Sequence, residues 1–160
     1  MAQNGKLTAF ALNCSLKSTS DDEKSSTDKL IGDLFSALEP HGVSGSFERA
    51  ADYDIKPGVL SDETDEAGRM PPAGKVALVA VVGNEDGAHH CHAAMFQALN
   101  DVGFTIPANA GLYWVGEAMG DVNYVDLKSI PDTVRTTLDT AAANAAHLAR
   151  LLRRETYPGG

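Results

Sequence analysis

One short stretch of the chain places three histidines and a cysteine side by side: His89, His90, Cys91 and His92. Imidazole and thiolate are ligands that transition metals prefer, so these residue types suggest a metal site. On a helix, however, His89 and His92 share one face, and only the distant Cys14 is available to join them. The spacing favours a helix start that lines a cleft. In that arrangement His89 faces a ligand, and His90 and His92 lie on the surface of the helix start. A small metal-binding protein that uses His89, His92 and either Cys14 or Cys91 remains the alternative.

The histidines follow a glycine-rich acidic turn, Gly83-Asn84-Glu85-Asp86-Gly87, which leaves the most apolar stretch of the chain. Its two glycines allow the backbone to approach a flat ligand closely. The alternative is a tight strand-to-helix turn in which Asp86 caps the helix. For the turn taken alone, this alternative is favoured.

A second polar stretch, residues 13–27, is rich in Ser and Thr and leads into an amphipathic helix. Hydroxyls, free backbone N–H groups and the positive end of a helix dipole together bind phosphate. The acids Asp21, Asp22 and Glu23 would repel phosphate unless they point outward, so the alternative is a loop that only caps the helix. Neither a Walker motif nor a GxGxxG motif is present. The candidate phosphate-binding residues are Ser15, Lys17, Ser25, Ser26 and Thr27.

Two aromatic residues, Tyr113 and Trp114, precede a third loop. They either form a wall for a planar ligand or belong to the core beneath the last helix. No catalytic triad is evident, since neither Gly-x-Ser-x-Gly nor His-Glu-x-x-His occurs in the sequence.

The elements that must position these loops follow from hydrophobic periodicity, which predicts alternating strands and helices. Such alternation predicts a parallel sheet covered on both faces, with ligands bound beyond the carboxyl ends of the strands. All three polar loops leave such ends. The predicted elements are a strand over Leu7–Leu12, a helix capped by Ser26 or Thr27 and ended by Pro40 and Gly42, a strand over Val43–Ala51, a linker over 60–74, a strand over Lys75–Val82, a helix over Gly87–Val102, a strand near the end of Phe104–Val115 and a helix from Pro131.

Length and charge limit the class of protein. The chain has 160 residues, which predicts a single domain, and its net charge of −9 argues against a nucleic-acid partner. The longest apolar run, Val76–Val82, is too short to span a bilayer, and the start of the sequence is not typical of a signal peptide. Together with the two cysteines, interpreted as reduced thiols, these features predict a cytoplasmic protein without membrane contact.

Several long stretches resemble the flavodoxin-like NAD(P)H-dependent FMN reductase family, notably KVALVAVVGNEDGAHH and FQALNDVGFTIPANAGLYWVGEAMGD. The resemblance implies a three-layer α/β fold with FMN at the carboxyl edge of the sheet. It implies that FMN passes a hydride from NAD(P)H to a small acceptor such as a quinone or free flavin. The serine stretch would hold the FMN phosphate. The isoalloxazine would lie along Gly83, Asn84, Glu85, Asp86, Gly87 and His89.

One departure from that family is large. Similar proteins have a further helix–strand–helix segment before the strand at Lys75–Val82, whereas this chain has only residues 60–74 there. Fifteen residues span at most about 50 Å, so they can cross a sheet but cannot supply the segment. We therefore expect a sheet of about four strands. Either the strands ending near Asn13 and Gly83 pair directly, or a second chain covers the exposed edge in a homo-oligomer such as a dimer. Loss of the segment also favours, as an alternative function, a non-catalytic module that no longer binds flavin.

Overall fold

A computed structural model describes residues 6–55, 64–83 and 85–159 of the chain. Strands and helices alternate in the order that the sequence predicts. Within the described ranges the elements are β1 (Leu7–Asn13), α1 (Ser26–Leu38), β2 (Val43–Arg49), β3 (Val79–Gly83), α2 (Ala88–Asp101), β4 (Gly111–Val115) and α3 (Asp132–Arg154). Asn84 and residues 60–63 of the predicted linker lie outside the described residues, while residues 64–74 form turns.

The strands form two parallel pairs. Strand β1 pairs with β2, in a register that runs from Leu7 opposite Val43 to Asn13 opposite Arg49. Strand β3 pairs with β4, and no pairing joins β1 to β3 among the described residues. The predicted direct pairing of these two strands is therefore wrong. The physical reason lies in α1, which packs against β1, β2 and β3 and so joins the two pairs through side chains instead of backbone hydrogen bonds.

The main core lies between the strands and the layer formed by α1 and α3. Leu30, Leu34 and Leu38 project from α1 into this core, and Leu138 from α3 meets them. Each fully buried leucine contributes about 1.5–3 kcal/mol to the free energy of folding. The facing stripe of α3 consists of small residues that let the two helices approach closely. Its members are Ala141, Ala142, Ala145 and Ala146.

The opposite face of β1 is uncovered in the described part of the chain. The side chains of Phe10 and Leu12 are 65% and 50% exposed, whereas the alternating Ala9 packs against the core. Helix α2 packs against β3 and β4. Covering of the exposed face of β1 by a second chain stays a prediction.

Strand ends differ from the predicted ones where the backbone cannot continue a ladder. Strand β3 begins at Val79 and not at Lys75, because Val76 forms only an isolated bridge with Thr105. Pro107 follows on the partner side and has no N–H to donate, so the ladder resumes only at Gly111. This confirms the prediction of a strand near the end of Phe104–Val115. Strand β2 ends at Arg49, two residues before the predicted end.

Candidate functional site

The loop that follows β1 is anchored by Asn13, whose side chain is fully buried. Its carbonyl oxygen Oδ1 accepts a hydrogen bond of 2.8 Å from the backbone N–H of Ser15. Its Nδ2 donates to Ser25 Oγ at 3.2 Å and to Asp28 Oδ1 at 2.6 Å. The hydrogen bonds of Asn13 therefore hold both ends of the loop together at the start of α1. Sequence reasoning missed this residue, although a polar side chain that closes an apolar strand was a usable signal.

Ser25 is the N-cap of α1, one residue before the predicted caps Ser26 and Thr27. Its hydroxyl accepts a hydrogen bond from the Asp28 N–H at 3.3 Å, which satisfies one otherwise free donor of the first turn. Ser26 has a different role, because its Oγ accepts from the Val125 N–H at 3.2 Å. That bond fastens the third loop to the first turn of α1. Thr27 lies half-buried in the same turn.

Ser15 differs from the other hydroxyls of this loop. Its Oγ is buried and has no hydrogen-bond partner among the described residues. A buried polar group without a partner costs about 1–3 kcal/mol, and native structures contain few of them. The unpaired hydroxyl lies next to the helix start, since the Ser15 N–H is tied through Asn13 to the N-cap Ser25. Among the described residues, these features make the Ser15 hydroxyl a candidate for hydrogen bonding to a polar ligand.

Lys17 uses its charge within the loop. Its Nζ donates to the Lys24 carbonyl oxygen at 3.1 Å and forms an ion pair of 2.9 Å with Glu23. Asp21 accepts a hydrogen bond of 2.6 Å from the Ser18 N–H. Two of the three loop acids are therefore engaged locally, which lowers the repulsion that the sequence predicts for an anion.

Two residues at the carboxyl end of β2, which sequence reasoning missed, hold the loop from the other side. Arg49 donates from Nε to Asp28 Oδ2 at 3.0 Å, from Nη2 to the same oxygen, and from Nη1 to the Ser18 carbonyl. Just beyond β2, Asp52 accepts from the hydroxyl and the backbone N–H of Thr19. These two hydrogen bonds lower the pKa of Asp52 below its usual value. Neither residue has a distinctive spacing in the sequence that would have identified it.

The second loop begins where β3 ends. The Gly83 carbonyl accepts a hydrogen bond of 3.2 Å from the Gly116 N–H, which joins the second and third loops. Gly87 is the N-cap of α2 with a φ of 135°, a conformation that L side chains rarely adopt. The prediction that Asp86 caps this helix is wrong, because among the described residues the Asp86 carboxylate accepts only from the adjacent Gly87 N–H. Glu85 and Asp86 are both exposed.

The histidines separate into exposed and buried ones. His89 is exposed and meets the Tyr113 ring edge-on, with ring centroids 5.1 Å apart. His92 is buried, so the prediction that it lies on the surface is wrong. It lies on the side of α2 that faces β4, and its Nε2 is 3.0 Å from the Leu112 carbonyl oxygen. No group of three or more His, Cys, Asp or Glu side chains in the described residues could hold a metal ion. The described geometry therefore gives no support to the metal-binding alternative.

The aromatic pair of β4 divides between the two interpretations. Trp114 packs against the core, with its ring 5.5 Å from that of Tyr124. Tyr113 points to the opposite face and is half-exposed beside His89. Only Tyr113 is thus available to a planar ligand at the carboxyl edge of β3 and β4.

Comparison with known proteins yields partial matches, and no protein-family model matches the chain. The chain is similar to the 8-demethyl-8-aminoriboflavin-5'-phosphate synthase of Streptomyces davaonensis, with 34% identity over 100 residues, 61% of this chain and 39% of that protein. It is also similar to the divalent metal cation transporter MntH of Mycobacterium bovis, with 34% identity over 92 residues, 56% of this chain and 14% of the transporter. The chain thus matches well under half the length of either relative. Across residues 6–55, 64–83 and 85–159, the structure contains no helix that is both long and apolar enough to cross a membrane.

Among solved structures, the chain resembles the crystal structure of RosB with a bound intermediate, 8-demethyl-8-formylriboflavin-5'-phosphate. The TM-score is 0.83 at 23% sequence identity, and the match covers 95% of this chain and 82% of RosB. At that identity the likeness shows the fold alone. With the parallel strands and the alternating elements, it confirms that the chain has the predicted flavodoxin-like α/β fold.

Proposed function

We propose that this chain binds a flavin phosphate of the FMN type, with the phosphate at the start of α1. The observation that carries the proposal is the buried, unpaired hydroxyl of Ser15 beside a capped helix start. A phosphate oxygen there would accept the missing hydrogen bond and would meet the positive end of the helix dipole. The relative from Streptomyces davaonensis supports this assignment, because its name describes a synthase of a riboflavin 5'-phosphate derivative.

The residues of the second loop fit the flat part of such a ligand. Gly83 and Gly87 have no side chains, so a flat ligand could approach the backbone closely there. The rings of His89 and Tyr113 contact each other close to this loop. In this proposal Asn84, Glu85 and Asp86 lie along the isoalloxazine. Lys17 and Thr27 border the phosphate and Ser25 and Ser26 shape its cradle, since both of these hydroxyls already accept hydrogen bonds.

A flavin bound in this position supplies hydride-transfer chemistry, and the protein orients it and tunes its surroundings. The finer proposal is an oxidoreductase that takes the hydride from NAD(P)H and delivers it to a small acceptor such as a quinone or free flavin. The resemblance to FMN reductases supports this version. A homo-oligomer would further cover the exposed Phe10 and Leu12 face of β1.

The relative's name favours one second candidate function, in which flavin phosphate is the substrate and not a retained cofactor. Incubation of the purified chain with FMN, an amino-group donor and dioxygen, followed by chromatography and mass analysis of the flavin, separates the two, because replacing a ring methyl by an amino group needs both a nitrogen source and an oxidant. Recovery of unchanged FMN supports the cofactor role. A flavin of altered mass supports the substrate role.

Titration of the full chain with FMN, followed by visible absorbance, tests the proposal. Ser15→Ala is the informative variant, because it removes an unpaired buried hydroxyl. Without ligand it should leave stability unchanged or raise it, and it should weaken FMN binding about tenfold or more, as expected for one lost hydrogen bond to a charged group. Ser36→Ala is the matched control, since the Ser36 hydroxyl donates to the Gly32 carbonyl within α1, away from the loop. Wild-type protein that does not bind FMN, or Ser15→Ala that binds it normally, would contradict the proposal. The first result would favour the non-catalytic module.

A further inference from the structure

A carboxylate lies at the start of α1, where the proposed site would have to accommodate a negatively charged phosphate. Asp28 is in the first turn of α1, three residues after the N-cap Ser25, and its side chain is only 20% exposed. Its oxygen Oδ1 accepts a hydrogen bond from Asn13 Nδ2, the same group that ties the loop to Ser25. A phosphate monoester bound beside Ser15 would therefore share its surroundings with a fixed negative charge.

Arg49 compensates for this charge in the described structure. Its guanidinium, 12% exposed, donates two hydrogen bonds to the second oxygen of Asp28 and one to the Ser18 carbonyl. Both of these hydrogen bonds converge on one carboxylate oxygen, and charge-assisted hydrogen bonds are stronger than neutral ones. Two other nearby acids have partners of their own, because Glu23 is paired with Lys17 and Asp52 accepts from Thr19. The two hydrogen bonds from Arg49 to a carboxylate therefore go to Asp28.

We propose that Arg49 is a positioning residue that neutralises Asp28 and so permits a phosphate monoester to bind at the start of α1. This inference rests on the proposed function. Arg49 acts on the phosphate through Asp28 and through the Ser18 carbonyl, and not by direct contact. The ligand class that it selects for is a flavin bearing a terminal phosphate, in preference to the same flavin without one.

The test compares FMN with riboflavin, because the two ligands differ only in the phosphate. Affinities of both are measured for the full wild-type chain and for Arg49→Gln, Asp28→Asn and the double variant. Arg49→Gln should weaken FMN binding about tenfold, as expected for an uncompensated charge near the phosphate, and riboflavin binding less than about twofold. Asp28→Asn should bind FMN at least as tightly as wild type. Its amide oxygen can still accept from Asn13.

The double variant decides the mechanism. If Arg49 acts by neutralising Asp28, removal of both charges should restore FMN affinity to within about threefold of wild type. FMN binding that stays as weak as in Arg49→Gln would overturn the inference and indicate direct phosphate contact. Equal loss of FMN and riboflavin binding would overturn it in favour of a purely structural role. Wild-type protein that binds neither ligand would overturn the proposed function, and this inference with it. Wild-type binding followed by failed rescue would overturn the inference alone.

Discussion

The buried tyrosine that fastens the third loop to α1 offers the most exact test of the structure. Tyr124 is fully buried, and its hydroxyl donates a hydrogen bond of 2.7 Å to Asp33 Oδ2. Lys29 lies 4.2 Å from the centre of the tyrosine ring and 3.6 Å from the same Asp33 oxygen. Tyr124→Phe keeps the ring and removes only the hydroxyl, so its effect reports on this hydrogen bond.

The expected loss follows from the exposure of the acceptor. A hydrogen bond to a charged group contributes about 1.5–3 kcal/mol to the free energy of unfolding. The Asp33 side chain is 19% exposed, so in the variant water can replace part of the lost bond. We therefore expect Tyr124→Phe to lower the free energy of unfolding by about 1–2 kcal/mol near neutral pH.

The pH dependence supplies a second, independent reading. Burial, and then the hydrogen bond to Asp33, raise the pKa of Tyr124 in the folded protein. Below about pH 10 the tyrosine is protonated in both states, so its full contribution to stability is present. Above about pH 10 the unfolded chain loses this proton while the folded chain keeps it, and the contribution falls by about 1.4 kcal/mol per pH unit. Phenylalanine has no such proton, so the advantage of wild type should disappear about one pH unit above 10.

Urea unfolding followed by circular dichroism, at neutral pH and at about pH 9, 10 and 11, measures both effects. Tyr157→Phe serves as the control, because Tyr157 is half-exposed and, among the described residues, its hydroxyl takes part in only one long hydrogen bond, accepted from Thr105 at 3.3 Å. That control should stay within about 0.5 kcal/mol of wild type. A loss below about 0.5 kcal/mol for Tyr124→Phe at neutral pH, or a difference that stays constant up to about pH 11, would refute the reasoning.

Three further changes test the geometry of the loops by the same unfolding measurement. Gly87→Ala should cost about 1–3 kcal/mol, since φ is 135° there, whereas Gly32→Ala within α1 should stabilise by about 0.5–1 kcal/mol; equal effects would contradict the assigned backbone. Gly111→Ala should lower the free energy of unfolding by about 1–3 kcal/mol, because a Cβ at this position would lie 2.8 Å from His92 Nδ1. An unchanged free energy of unfolding in this variant would mean that the imidazole lies elsewhere. Ser25→Ala should cost about 0.5–2 kcal/mol through loss of the N-cap, and an unchanged unfolding midpoint would argue against this cap.

The order of strands and helices could be predicted because periodicity reports which face of an element is buried. The stripe that includes Leu30, Leu34 and Leu38 lies in the core as its spacing indicates. The ends of the strands and helices were harder to predict, since they depend on hydrogen bonds with partners distant in sequence. Pro107 interrupts the ladder of a neighbouring strand, and no local pattern around Val76 and Lys75 reveals that.

The site was predictable in outline for the same reason and incomplete for a different one. Ser15 and Ser25 were identified because hydroxyls before a helix have a local meaning. Asn13 and Arg49 were missed, because their roles come from hydrogen bonds that span 15 residues to Asp28 in one case and 21 in the other. The asparagine that closes β1 marks its own position but not its partners, and the arginine at the end of β2 has no distinctive spacing. Only the fold brings both to the start of α1.

The resemblance to FMN reductases predicts that this chain lacks a helix–strand–helix segment, and the two halves of the proposed site would depend on that segment differently. The phosphate half is built from β1, α1 and the end of β2, and its hydrogen bonds through Asn13 and Arg49 are complete within the described residues. The half facing the isoalloxazine rests on the loop after β3, beside the edges at which β1 and β3 do not pair. Loss of a neighbouring loop would therefore weaken contacts to the ring more than contacts to the phosphate. For this reason the ratio of FMN to riboflavin affinity should be large even if both affinities are low, and that ratio is a sharper measure of the site than either affinity alone.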